Sequence, residues 1–241
     1  NKARPYFLAS AGLRTGVSID GDHRLHDAFR GEGSHAEVVE GIRLLNEAGA
    51  EWNAMAVATR LTAERPLDFY RYLRDELHCR YIQFTPETET ACAITSEGWA
   101  HVLCAIFDEW AHNDVGEVFV QIFDATLAGW VGAVPGVCSM AETCGHAAAM
   151  EWNGDLYQCD HFVTPEHLLG NIHRDSIYSL MNSPRQREFG QRKRTGLPAD
   201  CLACPWHHLC HGGCPKDRDS QGRNILCQGF PTFSAPSRQV M

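Results

Sequence analysis

Eight of the chain's eleven cysteines fall between Cys138 and Cys227, and their spacing limits what the second half can be. It runs Cys138-x5-Cys144-x14-Cys159, then Cys201-x2-Cys204-x5-Cys210-x3-Cys214, then Cys227. An odd total with no visible secretory leader argues against a disulfide framework. Clustered thiols in a reducing compartment point instead to metal, and to a cytoplasmic protein. Eight thiolates make two four-ligand sites, and all-sulfur sets suit zinc or iron–sulfur clusters. The stretch CHGGCP (210–215) echoes the end of the bacterial ferredoxin run, whose last cysteine ligates the other of two clusters. Gly212 and Gly213 let the backbone approach a bulky cluster. Zinc knuckles usually pair two Cys-x2-Cys units, and this chain has one there. The spacing favours iron–sulfur; zinc and inert or disulfide-bonded cysteines stay open as alternatives. Cys79, Cys92 and Cys104 are scattered and read as structural, Cys104 as a small buried hydrophobe on a helix.

The first half has a different pattern. Apolar periodicity predicts strands at 16–19, 52–59, 81–86 and 117–123, separated by helices at 35–49, 66–77 and 95–113. Strands alternating with helices of this length imply parallel βαβ units, hence an α/β open sheet or barrel segment. Near residues 129–135 (GWVGAVP) the long helical periods thin out. We place a boundary near 130, giving domains 1–130 and 131–241. The second carries one weak helix at about 177–189 and a thin core that needs metal staples. The basic run 185–194 (RQREFGQRKR) reads as a solvated helix face. A net charge of −9 argues against a nucleic-acid surface, and no apolar run is long enough for a membrane span.

Longer phrases carry a resemblance. NGDLYQCDHF (153–162), LGNI (169–172), CLACPWHHLCHGGCPKDR (201–218) and Cys227 resemble the SPASM auxiliary-cluster domain of radical S-adenosylmethionine (SAM) enzymes. GVSIDGDHRLHDAFR (16–30), IQFTPE (82–87), VFVQIFDATLAGWVG (118–132) and ETCGHAAAMEWNGDLYQCDHFV (142–163) resemble, more narrowly, the anaerobic sulfatase-maturating enzymes. The resemblance covers almost the whole chain. It implies the C-terminal portion of a partial (β/α) radical SAM barrel followed by a small cysteine-rich SPASM domain. The implied activity is oxidation of a Cys or Ser side chain of a sulfatase to formylglycine. The implied partners are a peptide segment of the sulfatase and an electron-donor protein. One auxiliary [4Fe-4S] cluster would take Cys138, Cys144, Cys159 and Cys214; the other would take Cys201, Cys204, Cys210 and Cys227.

The chemistry needs a base, because the substrate radical left by hydrogen abstraction must lose a proton and an electron. By resemblance that base is Asp160, next to Cys159; a bare Asp in such a turn would otherwise be a turn residue. His161 is the runner-up, more naturally a hydrogen-bond donor to a neighbour. Ser18, Arg30 and Thr88 fall where the family contacts SAM, at the carboxyl ends of parallel strands. Asp20 reads as a turn cap, and Lys216 and Arg218 as charges that offset a cluster or simply meet solvent. The family's Cys-x3-Cys-x2-Cys signature, which would hold a third cluster, is absent from the sequence. The chain therefore reads as a fragment, with the missing part completing the sheet. The rival readings are another SPASM enzyme that modifies a peptide, and a non-catalytic zinc or iron–sulfur module.

Overall fold

Residues at alternate positions of Trp52–Ala58 are buried on one side, and this strand is the centre of the first sheet. The computed structural model describes residues 3–237. Strands β1 (Thr15–Ser18), β2 (Trp52–Ala58), β3 (Tyr81–Pro86) and β4 (Phe119–Val120) lie in that order, all parallel. Val17 stands opposite Ala54, Ala56 opposite Phe84, and Ile82 opposite Val120. The small side chains of Ala54, Ala56 and Ala58 on this strand are fully buried. Helices α2 (His23–Arg30), α3 (Ser34–Glu47), α4 (Arg60–Glu64), α5 (Pro66–Arg71) and α6 (Ser96–Asn113) fill the connections, while α1 (Ala3–Ser10) precedes β1 and α7 (Gln121–Trp130) follows β4. Asp22 starts α2 by accepting from the Arg24 and Leu25 amides, and Pro66 starts α5 at a first-turn position.

Two expectations change here. The strand expected at 117–123 shrinks to Phe119–Val120, and α7 begins at Gln121. A short apolar run fits a strand or a buried helix equally well, and tertiary packing of Phe123, Ala125 and Thr126 decides for the helix. The helix expected at 66–77 passes into a π-helical turn at Tyr72–Glu76.

Contacts divide the chain into two units, residues 3–127 with 228–237, and Ala128–Cys227. The second unit holds an antiparallel sheet, β5 (Ala149–Met150), β6 (Asp155–Tyr157) and β7 (Leu168–Asn171). Its helices are α8 (Ile177–Met181), α9 (Pro184–Thr195), α10 (Ala199–Leu202) and α11 (His207–Cys210). The single helix expected at 177–189 is thus two, because Ser183 caps the Gln186 amide and Pro184 opens a new first turn. The last helix, α12 (Gly229–Ser237), belongs to the first unit and packs on α6, so the second unit ends earlier than 241. Phe233 is fully buried there, 5.6 Å from the Phe107 ring and 5.7 Å from the Phe123 ring. Burying such a ring contributes about 1.5–3 kcal/mol. The close approach is possible because residue 229 is glycine; a Cβ there would meet the Ser96 carbonyl oxygen. Among the described residues no helix is long and apolar enough to cross a membrane.

Candidate metal centre

In the second unit the eight thiols gather in two groups. Cys214 lies in the electrostatic field of Cys138 and Cys144, and Cys159 in that of Cys214. Cys210 feels Cys204, Cys227 and Cys201, and Cys227 feels Cys201 and Cys204. Burial first of all, then neighbouring thiols and carboxylates, pushes up Cys144, Cys159, Cys201, Cys210, Cys214 and Cys227, Cys214 to about 11 and Cys159 to about 12. Four thiolates per group would be unfavourable without a cationic centre to share. An all-sulfur donor set of four cysteines suits an iron–sulfur cluster, and it suits zinc as well. Gly212 and Gly213 take left-handed conformations, φ 74° and 65°, which turn the backbone between Cys210 and Cys214.

One helix organises the first group, and the sequence gives little sign of it. Gln186, Gly190 and Lys193 are buried, so α9 presents a stripe at helical spacing made of polar residues and glycine. This corrects the reading of 185–194 as a solvated face; Arg187, Arg192 and Arg194 are exposed, but the stripe is not. The Gln186 amide donates to the Gly145 carbonyl (2.9 Å) and the Gln158 carbonyl (3.0 Å), next to Cys144 and Cys159. The Cys144 amide donates to the Gly190 carbonyl at 3.3 Å. Lys193, with no exposed surface, donates from Nζ to the carbonyls of Cys138 (2.8 Å), Ser139 (2.9 Å) and Ala141. Three donors meet three acceptors, so the buried ammonium is fully hydrogen-bonded. Burial pulls it down to about 8 against the pull of Cys144, Cys138 and Cys214. Arg218 donates to the carbonyls of Lys193 (2.9 Å), Gly212 (3.2 Å) and Gly213 (3.5 Å). It is therefore a partly buried structural tie, while Lys216 is exposed.

Asp160 sits in the tight turn closed by the Phe162 amide on the Cys159 carbonyl. Its carboxylate is exposed and accepts a hydrogen bond from the Cys159 thiol at 3.2 Å. A thiolate cannot donate, so a metal-bound Cys159 would leave this carboxylate free to take a proton from elsewhere. His161 is exposed as well.

In the first unit Ser18 ends β1 and Thr88 follows β3, so both lie at the carboxyl edge of the sheet. Arg30 ends α2 and is fixed by Asp20, from Nε to Oδ2 at 2.5 Å and from Nη2 to Oδ1 at 3.2 Å. Asp20 is 2 % exposed and also accepts from the Val57 amide of β2 at 2.7 Å. Its own amide donates to Nδ1 of the buried His26 at 3.1 Å. Asp20 is therefore more than a turn cap: it joins β1, β2 and α2 and aims Arg30. A carboxylate ten residues before an arginine was the available signal.

Residues 138–205 match SPASM, an iron–sulfur cluster-binding domain. A parallel α/β sheet followed by a cysteine-rich unit of this kind is the arrangement found in the proteins to which the chain is similar. Several of the relatives it matches are anaerobic sulfatase-maturating enzymes. It is 45% identical to the Serine-type enzyme of Bacteroides thetaiotaomicron, over 93% of this chain and 62% of that protein. It is 25% identical to the Cysteine-type enzyme of Clostridium perfringens (strain 13 / Type A), over 94% of this chain and 66% of that protein. The fold matches the structure of anSMEcpe with bound AdoMet at a TM-score of 0.86, with 24% identity over 99% of this chain and 67% of that one. SuiB of Streptococcus suis bound to S-adenosylmethionine follows at 0.61, with 15% identity over 95% and 57%. The chain spans about three fifths of the length of the B. thetaiotaomicron relative.

Proposed function

We propose that the protein containing this chain oxidises a Cys or Ser side chain of a sulfatase to formylglycine, acting on a peptide segment in the cytoplasm with an electron-donor protein. The observation that carries this reading is the Asp160 carboxylate in hydrogen-bond contact with Cys159, inside a chain related throughout to sulfatase maturases. In the reading, residues up to about 130 form part of the barrel and the residues beyond form the cluster domain. Cys138, Cys144, Cys159 and Cys214 hold one [4Fe-4S] cluster, and Cys201, Cys204, Cys210 and Cys227 the other. Ser18, Arg30 and Thr88 hold SAM at the carboxyl edge of the sheet, with Arg30 kept in place by Asp20.

When bound, SAM supplies the hydrogen-abstracting radical and the clusters supply an electron acceptor. Turning CH₂–XH into CH=X removes one hydrogen atom, one proton and one electron. The proton is the chain's own task, and Asp160 takes it from the substrate heteroatom. A general base of this kind contributes typically 10²–10⁴-fold. Asp160→Asn keeps the shape and removes the base. In the full-length protein, assayed anaerobically on a sulfatase-derived peptide, it should lower turnover by about 10²-fold or more. Iron and sulfide content should stay as in the parent. Parental turnover in the variant would refute the assignment. Stoichiometric zinc without iron would refute the cluster reading as a whole.

A further inference from the structure

Lys193 and Arg218 are an unusual pair of cations. Lys193 has no exposed surface, yet the ion pairs of neighbouring Arg192 and Arg194 with Glu188 and Glu142 involve neither Lys193 nor Arg218. The Lys193 ammonium and the Arg218 guanidinium donate to backbone carbonyls. Removing an ammonium from water without an anion is costly, and carbonyl dipoles recover only part of the loss. Cysteines lie within reach of both, and they become anionic thiolates when they bind metal. Cys144, Cys138 and Cys214 favour the charge on Lys193; Cys201, Cys214, Cys144 and Cys210 favour the charge on Arg218. Lys193 thus belongs to the first quartet, whereas Arg218 addresses both. The two are also connected, since Arg218 holds the Lys193 carbonyl.

A cluster with four thiolate ligands is an anion, and taking up an electron makes it more negative. A fixed cation nearby stabilises the reduced form and raises the reduction potential. We propose that Lys193 and Arg218 are positioning charges for electron acceptance: Lys193 raises the potential of the cluster held by Cys138, Cys144, Cys159 and Cys214, and Arg218 raises both. The inference rests on the cluster reading above and adds to it a division of labour between two side chains. It also explains why a buried position on α9 is lysine, when an apolar residue of similar length would fill the space without desolvating a charge. The cluster beside Asp160 is the better acceptor of the electron that leaves as the carboxylate takes its proton.

The test is a potentiometric titration followed by electron paramagnetic resonance on the anaerobically reconstituted protein. Lys193→Gln removes the charge and keeps hydrogen-bond donors. It should lower one auxiliary midpoint by an equilibrium factor of about ten, which is ~59 mV for a one-electron couple, and leave the other in place. Arg218→Gln should lower both. Arg187→Gln, exposed on the same helix, should move neither. Full iron content with unmoved midpoints in both Lys193→Gln and Arg218→Gln would overturn the proposal. If Lys193→Gln loads only one cluster, Arg218→Gln decides, because its carbonyl partners lie outside residues 138–141. A parent protein that binds no iron overturns the cluster reading itself, a result distinguishable from iron-loaded variants with unshifted potentials.

Discussion

On an isolated helix, replacing glycine by alanine stabilises by about 1 kcal/mol. At Gly190 of α9 the structure requires the opposite sign. An added Cβ would run into the Cys144 carbonyl oxygen and lie 3.0 Å from its carbon, and both are backbone atoms. The Cys144 amide also donates to the Gly190 carbonyl, so the loop cannot retreat without losing that bond. Overpacking of this kind costs about 1–3 kcal/mol, and a clash with backbone belongs at the upper end. Subtracting the helix gain leaves a net loss of about 2 kcal/mol. Native-state hydrogen exchange reads this locally. Protection of the amides at 138–145 should fall about 30-fold, since each 1.4 kcal/mol is a factor of ten. Gly41→Ala is the control: it lies inside α3 with no atom within 4 Å of its added Cβ. There protection should rise by roughly fivefold, the gain expected from propensity alone. Unchanged or increased protection at 138–145 in Gly190→Ala would refute the packing of α9 against the Cys144 loop.

Two further outcomes test the first unit. Asp20→Asn leaves the Arg30 guanidinium without its anion and should cost about 3 kcal/mol, the lower end for a broken buried pair because Arg30 is partly exposed; chemical denaturation measures it, and a midpoint equal to the parent's would refute the role given to Asp20. His26 and His35 are both held below their ordinary value, first of all by burial. Below about pH 6.5 the unfolded chain therefore binds more protons than the folded one. Their contribution is full above that pH and is lost as pH falls towards their folded values. Melting temperature should drop between pH 7.5 and 5.5, and less so in His35→Gln; a flat profile would contradict the burial of these rings.

The parallel strands up to β3 were legible because β2 and β3 alternate buried and open positions, a period that survives any packing detail. The run at 117–123 was not, since its apolar residues suit a strand and a buried helix alike, and only Phe123 meeting Phe107 at 5.1 Å settles it. The cysteines stood out as candidate metal ligands by type and spacing. What arranges them was hidden. A search for helical faces looks for apolar residues, and α9 buries glutamine, glycine and lysine. Such a face is invisible to hydropathy because its partners are carbonyl groups of distant loops. Asp20 was hidden for a related reason: its partners, Val57 and Arg30, are brought to it by pairing of β1 with β2 and by the return of α2.

The return of α12 to the first unit sets an order of events during synthesis. The aromatic cluster of Phe107, Trp110 and Phe123 receives its last ring from Phe233, which the ribosome makes after every cysteine of the second unit. While the cysteine-rich stretch is emerging, that cluster stands uncovered on one side. A nascent chain paused late in 128–227 thus leaves that aromatic patch open to chaperones until Phe233 arrives to cover it.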